Sequence, residues 1–222
     1  MNDFFNINKP VGISSNDALS IFKRKTGIKK CGFAGTLDPF ASGVLPVAIN
    51  KATKQIEVVV ASDKEYECVA KFGISTDTGD IEGKPIATST KIPIIEELKN
   101  AIEDNFLGTF MQSPSVYSAI KIEGKRLCDI AREGDLSLEE LQKIADSRAK
   151  NIEIFSFEII EKIGDDCFRF VVNSGKGAYI RQLITDLARS VGSEAHLIEL
   201  TRNRVGQFNI KDSINLDDLK FI

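Results

Sequence analysis

The residue in this chain best suited to do chemistry is an aspartate in a turn rich in glycine and proline. It lies in Gly32-Phe33-Ala34-Gly35-Thr36-Leu37-Asp38-Pro39, followed at once by Phe40-Ala41-Ser42-Gly43-Val44-Leu45-Pro46-Val47. Glycines let a backbone approach a ligand closely and take positive φ without penalty. Pro39 fixes its own φ and biases Asp38 away from the helical region. A carboxylate held in this way is oriented, and an oriented carboxylate can act as a covalent nucleophile. The structural alternative is a tight turn whose Asp bonds to its own backbone. Spacing alone leaves both open.

Other segments carry the same mixture of glycine, proline, aromatic and cationic residues. Near the start stands Asn8-Lys9-Pro10-Val11-Gly12-Ile13-Ser14-Ser15. Tyr66 follows Asp63-Lys64-Glu65, and Gly73-Ile74-Ser75-Thr76-Asp77-Thr78-Gly79-Asp80 comes next. Pro114-Ser115-Val116-Tyr117-Ser118-Ala119-Ile120-Lys121 is followed by Gly124-Lys125. Lys176-Gly177-Ala178-Tyr179-Ile180-Arg181, Ala195-His196-Leu197 and Leu200-Thr201-Arg202 complete the series. Taken in order, from about residue 8 to about residue 208, these segments resemble the motifs of the TruB family, the tRNA pseudouridine-55 synthases.

The resemblance implies a chemistry. Uracil is detached from ribose C1′, turned, and rejoined through C5, with no redox change and no net hydrolysis. It implies Asp38 as the nucleophile, Arg181 as the cation that keeps that carboxylate ionised and oriented, and Tyr66 as a ring face and hydroxyl for the base. Tyr179 and Leu200 would line the uracil pocket. Lys9, Phe33, Lys121, Lys125 and Arg126 would meet RNA. The family usually has His where this chain has Phe33, so any polar RNA contact made there is put in doubt. The target uridine is stacked in the T arm of tRNA and must be extruded, at a cost of roughly a few kcal/mol. A segment at about 112–135 is the expected RNA-gripping loop. No cofactor and no metal are implied. A monomer in the cytoplasm is expected.

Composition sets outer limits. The 222 residues, 42% hydrophobic, suit one catalytic domain spanning 1–222. No run of about 18 apolar residues is present, so no membrane span is expected. Cys31, Cys68, Cys128 and Cys167 are scattered and His196 is the single histidine, which disfavours a zinc site. His196 reads as structural. The net charge of −3 is unevenly spread: residues 1–60 carry +4, residues 61–168 carry −9 and residues 169–222 carry +2. A phosphate backbone responds to local positive potential rather than to the sum.

The elements that must position these residues follow from period and punctuation. Phe4–Asn8 reads as a strand. Ser14 or Ser15 caps a helix to about Thr26, ended by Gly27. Its exit carries Lys23, Arg24, Lys25, Lys29 and Lys30, a cluster that suits either the helix dipole or RNA. Val44–Ile49 reads as a buried strand and Thr53–Ala61 as a short helix. Tyr66, Cys68, Ala70 and Phe72 alternate as a half-buried strand. Ile94–Leu107, Leu136–Ala145 and Ala178–Val191 read as helices. Ile152–Lys162 and Cys167–Asn173 form a hairpin around Gly164-Asp165-Asp166. A strand near Val205–Ile210 and a short helix at Leu216–Leu219 end the chain. Interspersed strands and helices joined by hairpins and long excursions indicate an α+β class. The resemblance refines this to a mixed, mainly antiparallel central sheet with packed helices, the pseudouridine synthase fold. Family members usually continue into a C-terminal RNA-binding domain, so the chain is expected to be a catalytic core.

Two other functions compete. A non-catalytic tRNA-binding or folding protein would use the same cleft, but a pure binder needs no buried carboxylate facing phosphate. An aspartyl-nucleophile hydrolase or phosphotransferase would want Mg²⁺ and further carboxylates. Asp38 has no acidic neighbour in sequence between Asp17 and Glu57.

Overall fold

In the computed structural model, which describes residues 3–116, 121–122 and 124–220, the chain opens with strand β1 (Phe4–Lys9) and helix α1 (Ser15–Thr26). The Ser14 hydroxyl accepts from the Asp17 N–H at 3.1 Å while the Asp17 carboxylate accepts from the Ser14 N–H at 3.1 Å. This reciprocal box satisfies two donors that a helix start otherwise leaves orphaned. Gly27, at φ 77°, ends the helix in the left-handed conformation that only glycine adopts cheaply. Strands β2 (Cys31–Phe33) and β3 (Ser42–Ile49), helix α2 (Ile56–Val60) and strand β4 (Lys64–Phe72) follow.

Next come β5 (Ile74–Thr76), β6 (Pro85–Thr88), α3 (Ile95–Asn105) and β7 (Gly108–Gln112). The segment expected as a gripping loop holds a small hairpin, β8 (Lys121–Ile122) with β9 (Lys125–Arg126), and then α4 (Leu127–Glu133). Helix α5 (Leu138–Asp146), the hairpin β10 (Lys150–Ile163) and β11 (Cys167–Ser174), helix α6 (Ile180–Ser190) and strand β12 (Ala195–Val205) follow. Strands β13 (Phe208–Asn209) and β14 (Ile214–Asn215) follow, and a 3-10 turn, Leu216–Asp218, stands where a short helix was expected.

The chain divides into two compact units, neither continuous in sequence. The first comprises Met1–Cys68, Val171–Lys176 and Glu199–Ile222. Its strand order runs β14-β1-β3-β12-β4. β1 and β3 are antiparallel, with Lys9 opposite Gly43, whereas β12 runs parallel to β3 and puts Arg202 opposite Gly43. β3 is buried along almost its whole length, as its unbroken apolar run requires of a strand covered on both faces. Ala18 and Phe22 of α1 pack on Ile7, Leu45 and Val47.

The second unit comprises Val69–Phe170 and Gly177–Ile198. Here the order is β4-β11-β10-β7, with β10 and β7 antiparallel. Phe72, Phe168, Phe170 and Phe157 form a ladder of tilted and edge-on rings 5.2–6.4 Å apart. Ile180, Leu183, Ile184, Leu187 and Ala188 form the buried stripe of α6, the i, i+3, i+4, i+7, i+8 pattern of an amphipathic helix. A separate cluster of Val116, Leu127, Leu141 and Ala145 anchors α4 and α5. β1 with β14 and β12 with β3 pair in parallel, whereas β1–β3, β2–β3, β12–β13, β10–β7, β5–β6 and β8–β9 are antiparallel, so the sheet is mixed and the α+β class stands.

Candidate active site

In the first unit the Asp38 turn is held through its main chain. The Ser15 hydroxyl accepts from the Leu37 N–H at 2.8 Å and lies 2.9 Å from the Leu37 carbonyl, to which it donates. Ser14 therefore caps the helix, and Ser15 ties that helix to the turn. The Gly12 N–H donates to the Pro39 carbonyl at 2.8 Å. The Ala41 N–H donates back to the Asp38 carbonyl at 3.1 Å. Asp38 itself is half-buried between a buried Leu37 and an exposed Pro39.

Lys9 was expected at the RNA and is corrected by its burial. Its side chain is 0% exposed, and Nζ donates to the carbonyls of Ile13 at 2.7 Å and Pro10 at 2.8 Å, with that of Pro39 at 3.5 Å. A buried ammonium must exchange its water for protein acceptors, and these main-chain oxygens supply them. Lys9 fastens the first motif to the Asp38 turn. It offers no accessible charge to a phosphate.

Arg202 performs a similar service from β12. It is 1% exposed and donates from Nε to the Val44 carbonyl at 2.8 Å and from Nη2 to the Gly35 carbonyl at 2.9 Å. Nη1 lies 3.4 Å from the Thr36 carbonyl. Leu200, two residues earlier on the same face of β12, is also buried. Tyr66 lies on the neighbouring strand β4 and is 7% exposed. Phe33 is partly buried and packs against the core cluster around Phe22 and Val47, so its ring serves the hydrophobic core.

In the second unit, Arg181 stands in the first turn of α6, 8% exposed. Its Nη1 donates to the Thr78 carbonyl at 2.6 Å and lies 3.2 Å from Asp80 Oδ2. Asp80 is itself held, with Oδ1 accepting from the Thr78 hydroxyl at 2.7 Å and from the Glu82 N–H at 3.0 Å. A desolvated guanidinium is stable only when paired and hydrogen-bonded, and the Thr76–Asp80 segment does both. Gly79, at φ 73°, makes the turn that brings the Thr78 carbonyl and Asp80 onto the same guanidinium. Arg181 also lines a cavity of about 370 Å³ together with Thr78, Ser115, Gln142, Gln182 and Arg189.

Tyr179 is placed by a main-chain embrace. The Gln112 side chain accepts from the Tyr179 N–H at 2.8 Å and donates to the Tyr179 carbonyl at 3.1 Å. His196 is buried, with Nδ1 2.8 Å from the Ile74 carbonyl, an arrangement that suits its structural reading. Lys125 is exposed and its ammonium pairs with Glu133 at 3.1 Å, so part of its charge is already answered. Lys121 and Arg126 face each other across the β8–β9 hairpin. The gripping loop is thus partly regular, because Leu127, Ile130 and Ala131 recur at helical spacing and cover Leu141. Residues 117–120 and 123 of that segment lie outside the described residues.

Local sequence does not reveal Asp80, Gln112 or Arg202 as partners of site residues. Each acts on a residue more than 60 positions away or through main-chain groups, and neither relation leaves a local pattern. The nearest signals were the Thr-Asp-Thr segment before Asp80 and the Leu-Thr-Arg run containing Arg202.

A family model described as TruB family pseudouridylate synthase (N terminal domain) matches residues 23–180. A tRNA pseudouridine synthase B of Clostridium tetani (strain Massachusetts / E88) is 39% identical over 219 residues, 99% of this chain and 73% of that protein. One from Francisella philomiragia is 40% identical over 215 residues, 96% of this chain and 68% of that protein. Among solved structures, a chain of a Cbf5-Nop10-Gar1 complex superposes with a TM-score of 0.72 at 28% identity, covering 97% of this chain and 53% of that one. A chain of an H/ACA RNP bound to a substrate RNA gives 0.70 at 25% identity, with 97% and 51% covered. This chain therefore spans about half the length of those two solved chains.

Proposed function

This chain belongs to the TruB family of pseudouridylate synthases, and from that premise we propose that it converts the uridine at position 55, in the T loop of tRNA, to pseudouridine with Asp38 as nucleophile. The observation that carries the proposal is the support given to the Asp38 turn. Ser15, Gly12, Lys9 and Arg202 all engage its main chain or its flanks, while Tyr66 and Leu200 occupy the same unit. A turn needed only to reverse the chain would not require two buried cations.

The reaction breaks the N1–C1′ bond, forms a C5–C1′ bond, removes the proton from C5 and returns one to N1. Asp38 supplies the charge or the covalent bond that this rearrangement needs. The family resemblance gives Arg181 the role of the cation that keeps that carboxylate ionised in a site shaped for an uncharged base. Tyr66 meets the base with its ring and serves proton transfer or hydrogen bonding through its hydroxyl. Tyr179 and Leu200 complete the pocket. The base is drawn out of the T-loop stack, and recognition rests on loop shape and phosphates. The protein works in the cytoplasm, as a monomer, with no cofactor.

The test is incubation of pure protein with an unmodified tRNA transcript in EDTA, followed by base-resolved mapping of pseudouridine. Product at position 55 alone is expected, and none in a transcript carrying cytidine there. Tight tRNA binding without product would favour the non-catalytic alternative. Activity that EDTA abolishes and a divalent ion restores, with tRNA folding controlled, would overturn the metal-free mechanism.

A further inference from the structure

We propose that Arg202 is a positioning residue of the reaction: its guanidinium fixes, from one buried point, both the main chain of the Asp38 turn and the hydroxyl of Tyr66. The proposal rests on the assignment of Asp38 and Tyr66 made above. Three donors of the fork are directed at the carbonyls of Val44, Gly35 and Thr36. Gly35 and Thr36 lie immediately upstream of Leu37 and Asp38, and Val44 lies in the buried part of the strand that leaves the turn. The guanidinium therefore braces the turn on both sides of the carboxylate. Burial lowers the pKa of Arg202 from its usual value, and the hydroxyl of Tyr66, on the adjacent strand β4, hydrogen-bonds the guanidinium and favours its charged form.

The backbone is shaped to admit this side chain. Gly43 sits opposite Arg202 at φ 107°, and a Cβ there would collide with the Arg202 main chain. Gly35, at φ 78°, would bring a Cβ to 3.3 Å from Arg202 Nη1. Gly43 thus leaves room for the main chain of β12, and Gly35 for the Arg202 side chain. Arginine suits the task because its donors diverge in a rigid plane, whereas the ammonium of lysine is a point on a flexible stem. A side chain that merely filled the core would have no cause to join a nucleophile's turn to the hydroxyl that meets the base. Arg202 coordinates the two reacting groups without touching substrate.

The experiment is a double-mutant cycle on the intact chain with Arg202→Lys, Tyr66→Phe and the pair. Single-turnover rate and tRNA dissociation constant are measured for each. Each single variant should lower the rate by at least about tenfold with affinity changed less than about threefold, and the pair should lose little more than the worse single variant. A wild-type rate in Tyr66→Phe, or losses that multiply in the pair, overturns the proposal. A second measurement stands apart from the folding of Arg202→Lys and from activity. In ¹⁵N-arginine-labelled protein, with Arg202 assigned through bonds, its side-chain resonances should shift in Tyr66→Phe and hold still in Tyr179→Phe. Unshifted Arg202 resonances refute the link to Tyr66 whatever the activity. A shift in Tyr66→Phe, with no pseudouridine made by the unaltered protein, defeats the functional assignment instead.

Discussion

One carboxylate decides whether residues 32–39 are an active site or only a turn. Asp38→Asn should abolish pseudouridine formation while tRNA affinity stays within about tenfold, or 1.4 kcal/mol, because cations elsewhere hold the phosphates. Turnover near that of the unaltered protein would remove Asp38 as nucleophile. Arg181 poses a sharper question, since its guanidinium already meets Asp80 and the Thr78 carbonyl. A cation fixed in this way is oriented before substrate arrives, which suits a partner for a catalytic carboxylate. Arg181→Met should cut the single-turnover rate far more than affinity, and Arg181→Lys should restore only part of it. A pure phosphate contact would instead weaken binding and lower the salt slope by about one unit. Asp38 stood out in the sequence because glycine and proline mark an oriented turn. Lys9 was placed wrongly because a lysine beside a glycine-rich motif looks the same whether its ammonium meets phosphate or three carbonyls. Only burial tells them apart.

At the scale of elements, neighbouring serines have separate duties that substitution can resolve. Ser14→Ala removes the cap of α1 and should cost about 1 kcal/mol of stability with little change in rate. Ser15→Ala strips the buried Leu37 N–H of its acceptor, should cost about 1–3 kcal/mol, and should also slow catalysis by loosening the Asp38 turn. Urea unfolding and single-turnover rates on both variants check this division, and equal rate effects would refute it. Period and punctuation revealed α1, α3, α5, α6 and the β10–β11 hairpin, each within a few residues of its observed bounds. They failed for β12, where buried His196 and Arg202 interrupt the apolar alternation that marks a strand. The expected helix at Thr53–Ala61 is split into a 3-10 turn, Asn50–Gln55, and α2. In the 112–135 segment, elements of two to seven residues carry too few apolar positions to set a helix or strand apart from a loop.

For the molecule as a whole, the class was legible because hairpin spacing and interspersed helices exclude a regular parallel array, whereas the mixed, mainly antiparallel sheet was implied only by the family resemblance. The division into two units was not, because three strands contribute one part to each and no linker marks the boundary. Charge was legible as a distribution. Affinity for tRNA should fall steeply with salt despite the net charge of −3, since each phosphate neutralised releases counterions. A flat dependence of the dissociation constant on salt would defeat that account. Stability should carry its own signature in pH. Lys64 is nearly inaccessible and donates to the carbonyls of Val60 and Ser62. Burial first, and then repulsion from Arg202, lower its pKa from 10.5 to about 8, with Asp63 opposing. Below about pH 8 both folded and unfolded chains hold the proton, and the cost of the buried charge is fully present. Between about 8 and 10.5 the unfolded chain binds more protons than the folded one, so stability rises with pH in that window. Lys64→Met removes the group, and the difference in unfolding free energy, unaltered protein minus variant, should therefore increase from pH 8 towards 10.5. Taking the difference cancels the other groups that titrate there. Urea unfolding of both proteins across that range is the measurement, and a level or falling difference would show that Lys64 keeps its proton in the fold.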